Sequence, residues 1–345
     1  WGEVSHYYYE FYNSKYVYNP DVKWETTITR NIGLDFGFFK ERLSGTIDVY
    51  WNTVKDLLVP SDIPGYTGYT KLMTNVGQTS NRGIELQLNA WLVETKDFSL
   101  NATFNIGHNK NKIDKLASGE KEWILTSAWR NDVVNSDDYR AYVGGTSGLI
   151  YGYVNDGFYT VADFESFDSK SRTWKLKEGV VTVDGVSPRP GDIKYQNLRD
   201  DGSSTNRIDT GDGTFDNPGD RKIIGNNSLR LQYGINLGVN YKGFDLSVLL
   251  QGVGKRDVWI SDARRWPFNS GQFGSLFKDQ LDYWKPVDSA NGDWTAANPN
   301  AEYFRIYGQG NNSSYNTRAQ TKYLMNGSYL RVKNVTLSYN FPKSW

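Results

Sequence analysis

Residues Arg82 to Leu92 read RGIELQLNAWL, with Ile84, Leu86, Leu88, Ala90 and Leu92 at even positions and Glu85, Gln87, Asn89 and Trp91 at odd ones. Side chains two apart on a β-strand share a face, so this stretch predicts a strand that is oily on one side and wet on the other. Phe98 to Gly107 repeats the pattern, with Phe98, Leu100, Ala102, Phe104 and Ile106 opposite Ser99, Asn101, Thr103, Asn105 and Gly107. Leu231 to Tyr241 sets Leu231, Tyr233, Ile235, Leu237, Val239 and Tyr241 against Gln232, Gly234, Asn236, Gly238 and Asn240. Leu43 to Trp51 and Trp24 to Phe38 follow the same rule less cleanly.

Such runs cover roughly nine to eleven residues or more, the length with which a tilted strand crosses a hydrocarbon layer. Strands of soluble proteins average about five or six. The polar positions are mostly Ser, Thr, Asn, Gln and Gly, which suits a hydrated bore better than a face in bulk water. The connections sharpen this reading. Phe39 to Arg42, Val93 to Asp97, and Lys242 with Gly243 are tight, polar or glycine-containing turns, whereas Asn155 to Arg230 and Lys255 to Asn326 are long. Short turns at one end and long loops at the other mark an outer-membrane barrel. The fold class expected is all-β: part of a large transmembrane antiparallel β-barrel with long extracellular loops.

Composition agrees. A mean hydropathy of −0.63 with 38% hydrophobic residues excludes a helical membrane protein, since no apolar run approaches the ~20 residues of a spanning helix. A barrel wall needs apolar residues only at alternate positions. The 24 Tyr and 12 Trp suit interfacial girdles and ligand-gripping loops. With 39 basic and 39 acidic residues the chain has no bias toward nucleic acid. Zero cysteines exclude disulfides, thiol chemistry and cysteine-ligated zinc. The chain opens on Trp1 and closes on Trp345, and residues 1–345 are read as one partial barrel domain, an internal piece lacking a plug domain and the final strands.

Several ordered blocks resemble the SusC/RagA family of TonB-dependent outer-membrane transporters of Bacteroidota. Asn19-Pro20-Asp21-Val22-Lys23-Trp24-Glu25-Thr26 is similar to its NPDLKWE segment, followed by Asn31-Ile32-Gly33-Leu34-Asp35 and Arg42-Leu43-Ser44-Gly45. Tyr50 with Lys55-Asp56-Leu57-Leu58 resembles YxxxxKDLL, and Gly65, Gly68, Asn75, Gly77 and Asn81-Arg82-Gly83-Ile84-Glu85 fall where the family has G-x-x-G, N-x-G and N-R-G-I-E. Gly191-Asp192-Ile193-Lys194-Tyr195 precedes an acidic loop and then Asp220-Arg221 and Ile224-Gly225. Gln251-Gly252-Val253-Gly254 with Arg256-Asp257 resembles QGVGGRD, departing at Lys255, and Tyr329 to Tyr339 resembles YLRLKNVTLGY.

The resemblance implies a barrel of about 22 strands closed around an N-terminal plug. It also implies TonB-dependent uptake of an oligosaccharide or peptide, a SusD-like surface lipoprotein as lid, and energy from a TonB-ExbB-ExbD complex engaging a part of the protein outside this chain. The mechanism implied is gating, with no covalent chemistry, so no enzyme activity and no required cofactor are expected. Two alternatives are open: a passive porin or adhesin barrel, and a secreted all-β glycan-binding or glycan-cleaving protein.

Candidate sites are few. Asp200, Asp201, Asp209, Asp212, Asp216 and Asp220 are interspersed with glycines, and carboxylates so spaced can wrap Ca²⁺, which takes six to eight oxygens. Asp209, Asp212, Asp216 and Asp220 are the candidate ligands, although the register departs from an EF-hand and lacks its bidentate Glu. The opposing reading is a solvated extracellular turn. Trp123, Trp129, Trp174, Trp259, Trp266, Trp284 and Trp294 fall in segments that do not alternate. Of these, Trp123, Trp129, Trp174 and Trp266 are candidates for stacking on sugar faces or apolar peptide side chains, against a simpler role in packing the loops.

His6 and His108 are far apart and offer no base for nucleophilic hydrolysis. His108 is expected to continue the polar face of its strand. Adjacent Asp137 and Asp138 point apart in a strand and make a poor glycosidase pair. Gly252 and Gly254 lack the third glycine and following helix of a phosphate loop and are expected to let a strand end bend. Arg30 is placed by alternation on the outward face, tolerable near an interface.

Overall fold

The computed structural model describes residues 16–116, 122–125, 138–183, 185–199, 206–209, 211, 217, 219–260, 265–266, 276–306 and 315–341. Its main feature is a nine-stranded sheet. The strands are β1 (Tyr16–Val17), β2 (Thr26–Ile28), β3 (Asn31–Phe38), β4 (Leu43–Asp62), β5 (Lys71–Glu94), β6 (Phe98–Lys115), β7 (Leu231–Tyr241), β8 (Phe244–Val253) and β9 (Tyr329–Tyr339). Both β2 and β3 pair with β4, and the order then runs β4-β5-β6-β7-β8-β9 with antiparallel neighbours throughout. The short β1 lies parallel to the start of β5.

Alternation specifies this wall because a one-residue slip would turn every oily side chain inward. Phe36, Gly45, Leu88, Phe104, Ile235, Leu250 and Val332 are successive cross-strand neighbours on seven strands. The row beside it joins Leu34, Ile47, Leu86, Ile106 and Tyr233. Ile32, Leu34, Ile84, Leu246, Val335 and Leu337 on this face are exposed. A contiguous apolar band of this extent needs an apolar solvent. At its lower edge Phe98, Tyr241, Phe244 and Tyr339 are aligned by register, with Phe244 and Tyr339 rings 4.5 Å apart, as in an interfacial girdle.

β7 and β9 have the expected bounds, whereas β4, β5 and β6 reach 20, 24 and 18 residues. Their extra length continues upward as a ribbon beyond the apolar band, where no oily solvent enforces alternation. The run from Trp24 to Phe38 divides at Thr29 and Arg30, yet its register against β4 is unbroken from Thr26 opposite Lys55 to Phe38 opposite Leu43. At the lower end Lys242 (φ 46) and Gly243 (φ 89) make the two-residue turn with both residues left-handed that matches strand twist.

The two long connections, β6 to β7 and β8 to β9, leave the upper end and fold together. Ile150, Tyr153, Tyr159, Ile193 and Tyr195 from the first share one buried core with Trp259, Trp266, Tyr303, Tyr315 and Tyr323 from the second. Short sheets stitch this shell: Leu149–Tyr153 pairs with Arg221–Asn226, and Asn155–Phe158 with Ile193–Tyr195. It is tied to β6 by Ile113 N–H donating to Gly145 O at 2.8 Å and Gly144 N–H to Ile113 O at 2.8 Å.

Candidate functional site

The face opposite the apolar band is polar. Thr46, Gln87, Asn105, Gly234, Gln251 and Arg331 form one row across β4 to β9. Side chains are bonded across strands: Thr103 Oγ1 donates to Asn89 Oδ1 at 3.0 Å, Ser247 Oγ to Asn236 Oδ1 at 3.2 Å, and Arg331 Nη2 to Gln251 Oε1 at 2.9 Å. Gly234 lets Asn105 lie flat, since a Cβ there would stand 2.7 Å from Asn105 Oδ1. This face frames a groove of about 490 Å³ lined by Asp48, Tyr50, Glu85, Asn105, Gln232 and Lys333, among others. Asp48 lies directly opposite Glu85. A hydrated wall rich in neutral amides and hydroxyls binds weakly at many points, which suits passage rather than capture.

Above it the shell is held by buried polar bonds. Asp192 is fully buried in the Gly191 to Tyr195 segment. Its Oδ1 accepts from Arg305 Nε at 3.0 Å and Asn316 Nδ2 at 3.3 Å, and its Oδ2 from Arg189 N–H at 2.9 Å. Tyr195 donates to Tyr315 O at 2.8 Å and Tyr315 to Ile193 O at 2.7 Å. Burial pushes the phenols of Tyr159, Tyr195, Tyr315 and Tyr323 well above the ordinary value of 10.0. Their neutral hydroxyls hold the shell through hydrogen bonds.

The tryptophan candidates divide. Trp266 is 1% exposed, edge-on to Tyr323 at 4.8 Å and 5.9 Å from Trp259. It has no face left for a ligand, so its proposed stacking role is withdrawn in favour of packing. Trp174 is half-buried, 4.7 Å from Phe167 and edge-to-face with Trp294 at 5.9 Å, where two hairpins from different connections meet. Trp123 lies on the strand Glu122–Leu125, its side chain outside the described residues. Trp129 lies wholly outside them.

Of the acidic candidates, Asp212 and Asp216 lie outside the described residues. Asp220 is fully buried. Its Oδ1 accepts from Leu198 N–H at 2.7 Å and Arg199 N–H at 2.9 Å, and its Oδ2 from Asp209 N–H at 2.6 Å. Asp209 Oδ1 accepts from Gly211 N–H at 2.7 Å. Asp220 is therefore a staple for the loop's backbone, and a cation would compete with three N–H groups for it. Among the described residues no group of three or more His, Asp or Glu is placed to hold a metal.

His108 pairs with Ile84 and Leu231, so it lies on the outward face at the top of the apolar band and not on the polar face, because it is two residues beyond Ile106. Gly252 sits in β8 with the Tyr233 ring across it. His6 and Asp137 lie outside the described residues, while Asp138 is buried. Sequence reasoning passed over Asp192, whose only signal was its place inside a family block.

Comparison with known proteins places these features in context. A family model described as TonB dependent receptor-like, beta-barrel matches residues 4–184. TonB-dependent receptor P3 of Formosa agariphila is 29% identical over 328 residues, covering 95% of this chain and 28% of the relative. TonB-dependent receptor SusC of Bacteroides thetaiotaomicron is 26% identical over 330 residues, covering 95% and 27%. The chain thus spans less than a third of the length of these relatives. Among solved structures, the RagAB peptide importer in its open-open state superposes with a TM-score of 0.63 at 23% identity, over 96% of this chain and 30% of that one. The RagAB peptide transporter gives 0.61 at 22%, over 94% and 30%.

Proposed function

The chain belongs to the TonB dependent receptor-like β-barrel family, and from that premise we propose that it forms part of the wall and outer cover of an active importer of the SusC/RagA type. The observation that carries the reading is one sheet, oily outside and wet inside, whose two long connections leave the same end and share a single core. The wall stands in the outer membrane. The polar face supplies the wet passage, and the shell receives substrate at its mouth.

The cargo class is an oligosaccharide or a peptide, the latter favoured by the fold shared with a peptide importer. A SusD-like lipoprotein closes over the shell, and a TonB complex supplies the energy through a part of the protein outside this chain. Asp220 contributes as a backbone staple at the edge of the shell, with no calcium needed at Asp209, Asp212 or Asp216 to hold it.

Uptake of fluorescent oligosaccharides and peptides by cells expressing the full-length protein tests this reading. Collapse of the proton gradient should abolish uptake of one class. Uptake that survives uncoupling would instead identify a passive pore.

A further inference from the structure

Above the apolar band the outward face changes character within one residue pair. Ile32, Val49, Ile84 and His108 are cross-strand neighbours. In the next row up stand Arg30, Trp51, Arg82 and Lys110. Trp51 N–H donates to Arg30 O at 2.9 Å, Trp51 faces Arg82, and Arg82 faces Lys110. All four are exposed. With strands about 4.8 Å apart, the three cations span about 14 Å on one surface.

The height of this row follows from its strand. Lys110 lies twelve residues up β6 from Phe98 in the lower girdle. That is about 40 Å along the strand, or about 30 Å of height at a tilt near 40°, against an apolar belt of about 25 Å. The cations therefore sit at the level of the outer leaflet's headgroups, with Trp51 among them as an interfacial ring.

Charge is sorted across the wall. The outward Arg30, Arg82 and Lys110 have inward Asp48 and Glu85 three residues below their row on β4 and β5, which point the other way and cannot neutralise them. Asp114, higher on the outward side, is held by Lys112 at 3.2 Å. Arg82 and Lys110 directly opposite each other repel, and an anion arriving from outside relieves that repulsion. Below them lies oil, so that anion carries acyl chains.

We propose that Arg30, Arg82 and Lys110, with Trp51 between them, form a binding site on the barrel's outer wall for the phosphate groups of an outer-leaflet glycolipid. The site goes beyond the transport reading, because it faces away from the passage and needs neither cargo nor lid. The guanidinium groups suit bidentate phosphate contacts and the ammonium a point contact.

Native mass spectrometry of the full-length protein, mixed with phosphorylated lipid A or with the same lipid after phosphatase treatment, tests the site. The wild type should retain the phosphorylated lipid and release the dephosphorylated one. R30Q/R82Q/K110Q should bind it roughly 100-fold more weakly, about fivefold for each basic residue near an anionic surface, while R30K/R82K, which keeps the charge and loses the guanidinium forks, should fall between that variant and the wild type. If the triple variant fails to assemble, K110Q alone should show about the fivefold loss expected of one such residue. Unchanged binding in whichever variant assembles, or equal retention of the dephosphorylated lipid, overturns the proposal. Full displacement by inorganic phosphate would assign the site to free anions and overturn it equally.

Discussion

Asp192 and Arg305 meet at 3.0 Å in the shell although 113 residues separate them in the chain. The carboxylate is fully buried and the guanidinium 13% exposed, so the pair clamps one long connection to the other where water cannot replace either partner. Removing one member of such a pair leaves an uncompensated charge and costs about 3–5 kcal/mol. Arg305→Ala and Asp192→Ala should each open the shell to protease while the barrel keeps its heat-dependent gel mobility. The double variant should lose little more than either single one. Fully additive losses would show that the two side chains act separately.

Gly191, next to the clamp, has φ 89, and a Cβ there would overlap the Trp284 ring. Gly157 has the same φ and open space around it. Gly157→Ala should therefore cost about 1–2 kcal/mol for the left-handed backbone alone. Gly191→Ala should cost a further ~1–3 kcal/mol from overpacking. Shell melting temperatures compare the two, and equal shifts would mean that Trp284 yields freely.

The buried phenols give the shell a defined alkaline limit. Burial, first among the causes, raises Tyr159, Tyr195, Tyr315 and Tyr323 in the folded state above the unfolded value of 10.0. Their contribution is complete below pH 10 and is lost as pH climbs toward the folded values, because only the unfolded chain ionises there. Absorbance titration should show a late class of tyrosines appearing together with protease sensitivity of the shell. Smooth titration of all tyrosines near the ordinary value, with the shell intact, would contradict this burial.

Asp220 holds Leu198, Arg199 and Asp209 through their backbone N–H groups. Asp220→Ala should raise protease cutting in that loop with or without EDTA, since hydrogen bonds to a charged acceptor contribute about 1.5–3 kcal/mol each. EDTA alone should leave the wild-type loop unchanged. Loosening by EDTA, reversed by Ca²⁺, would restore the metal reading for Asp209, Asp212 and Asp216.

What the sequence disclosed divides along a physical line. Leu231 to Tyr241 was legible end to end, because two unlike solvents impose a period of two on it, whereas Tyr329 to Tyr339, whose period a bulge interrupts, was placed by its resemblance to a family block. The upper parts of β4, β5 and β6 were not, since above the membrane neither face must be oily. The shell was hidden for another reason. Tyr195 and Tyr315 share a core from positions 120 apart, and no local period records such a meeting. Trp266 could be flagged as an aromatic in an irregular segment, yet its enclosure depends on Tyr323, Trp259 and Phe304 arriving around it. His108 could have been placed by parity with Ile106.

The central claim is a wall with lipid on one side and water on the other. The chain has no cysteine, so once any cysteine elsewhere in the full-length protein is replaced by serine, single cysteines can be placed along β7 in lipid vesicles and labelled with a fluorophore. Labels at Tyr233, Ile235, Leu237 and Val239 should be quenched by nitroxide lipids. Labels at Gly234, Asn236, Gly238 and Asn240 should be quenched by aqueous iodide. A β7 on which every outward label escapes the lipid quencher, or on which the two sets do not alternate, would contradict the account.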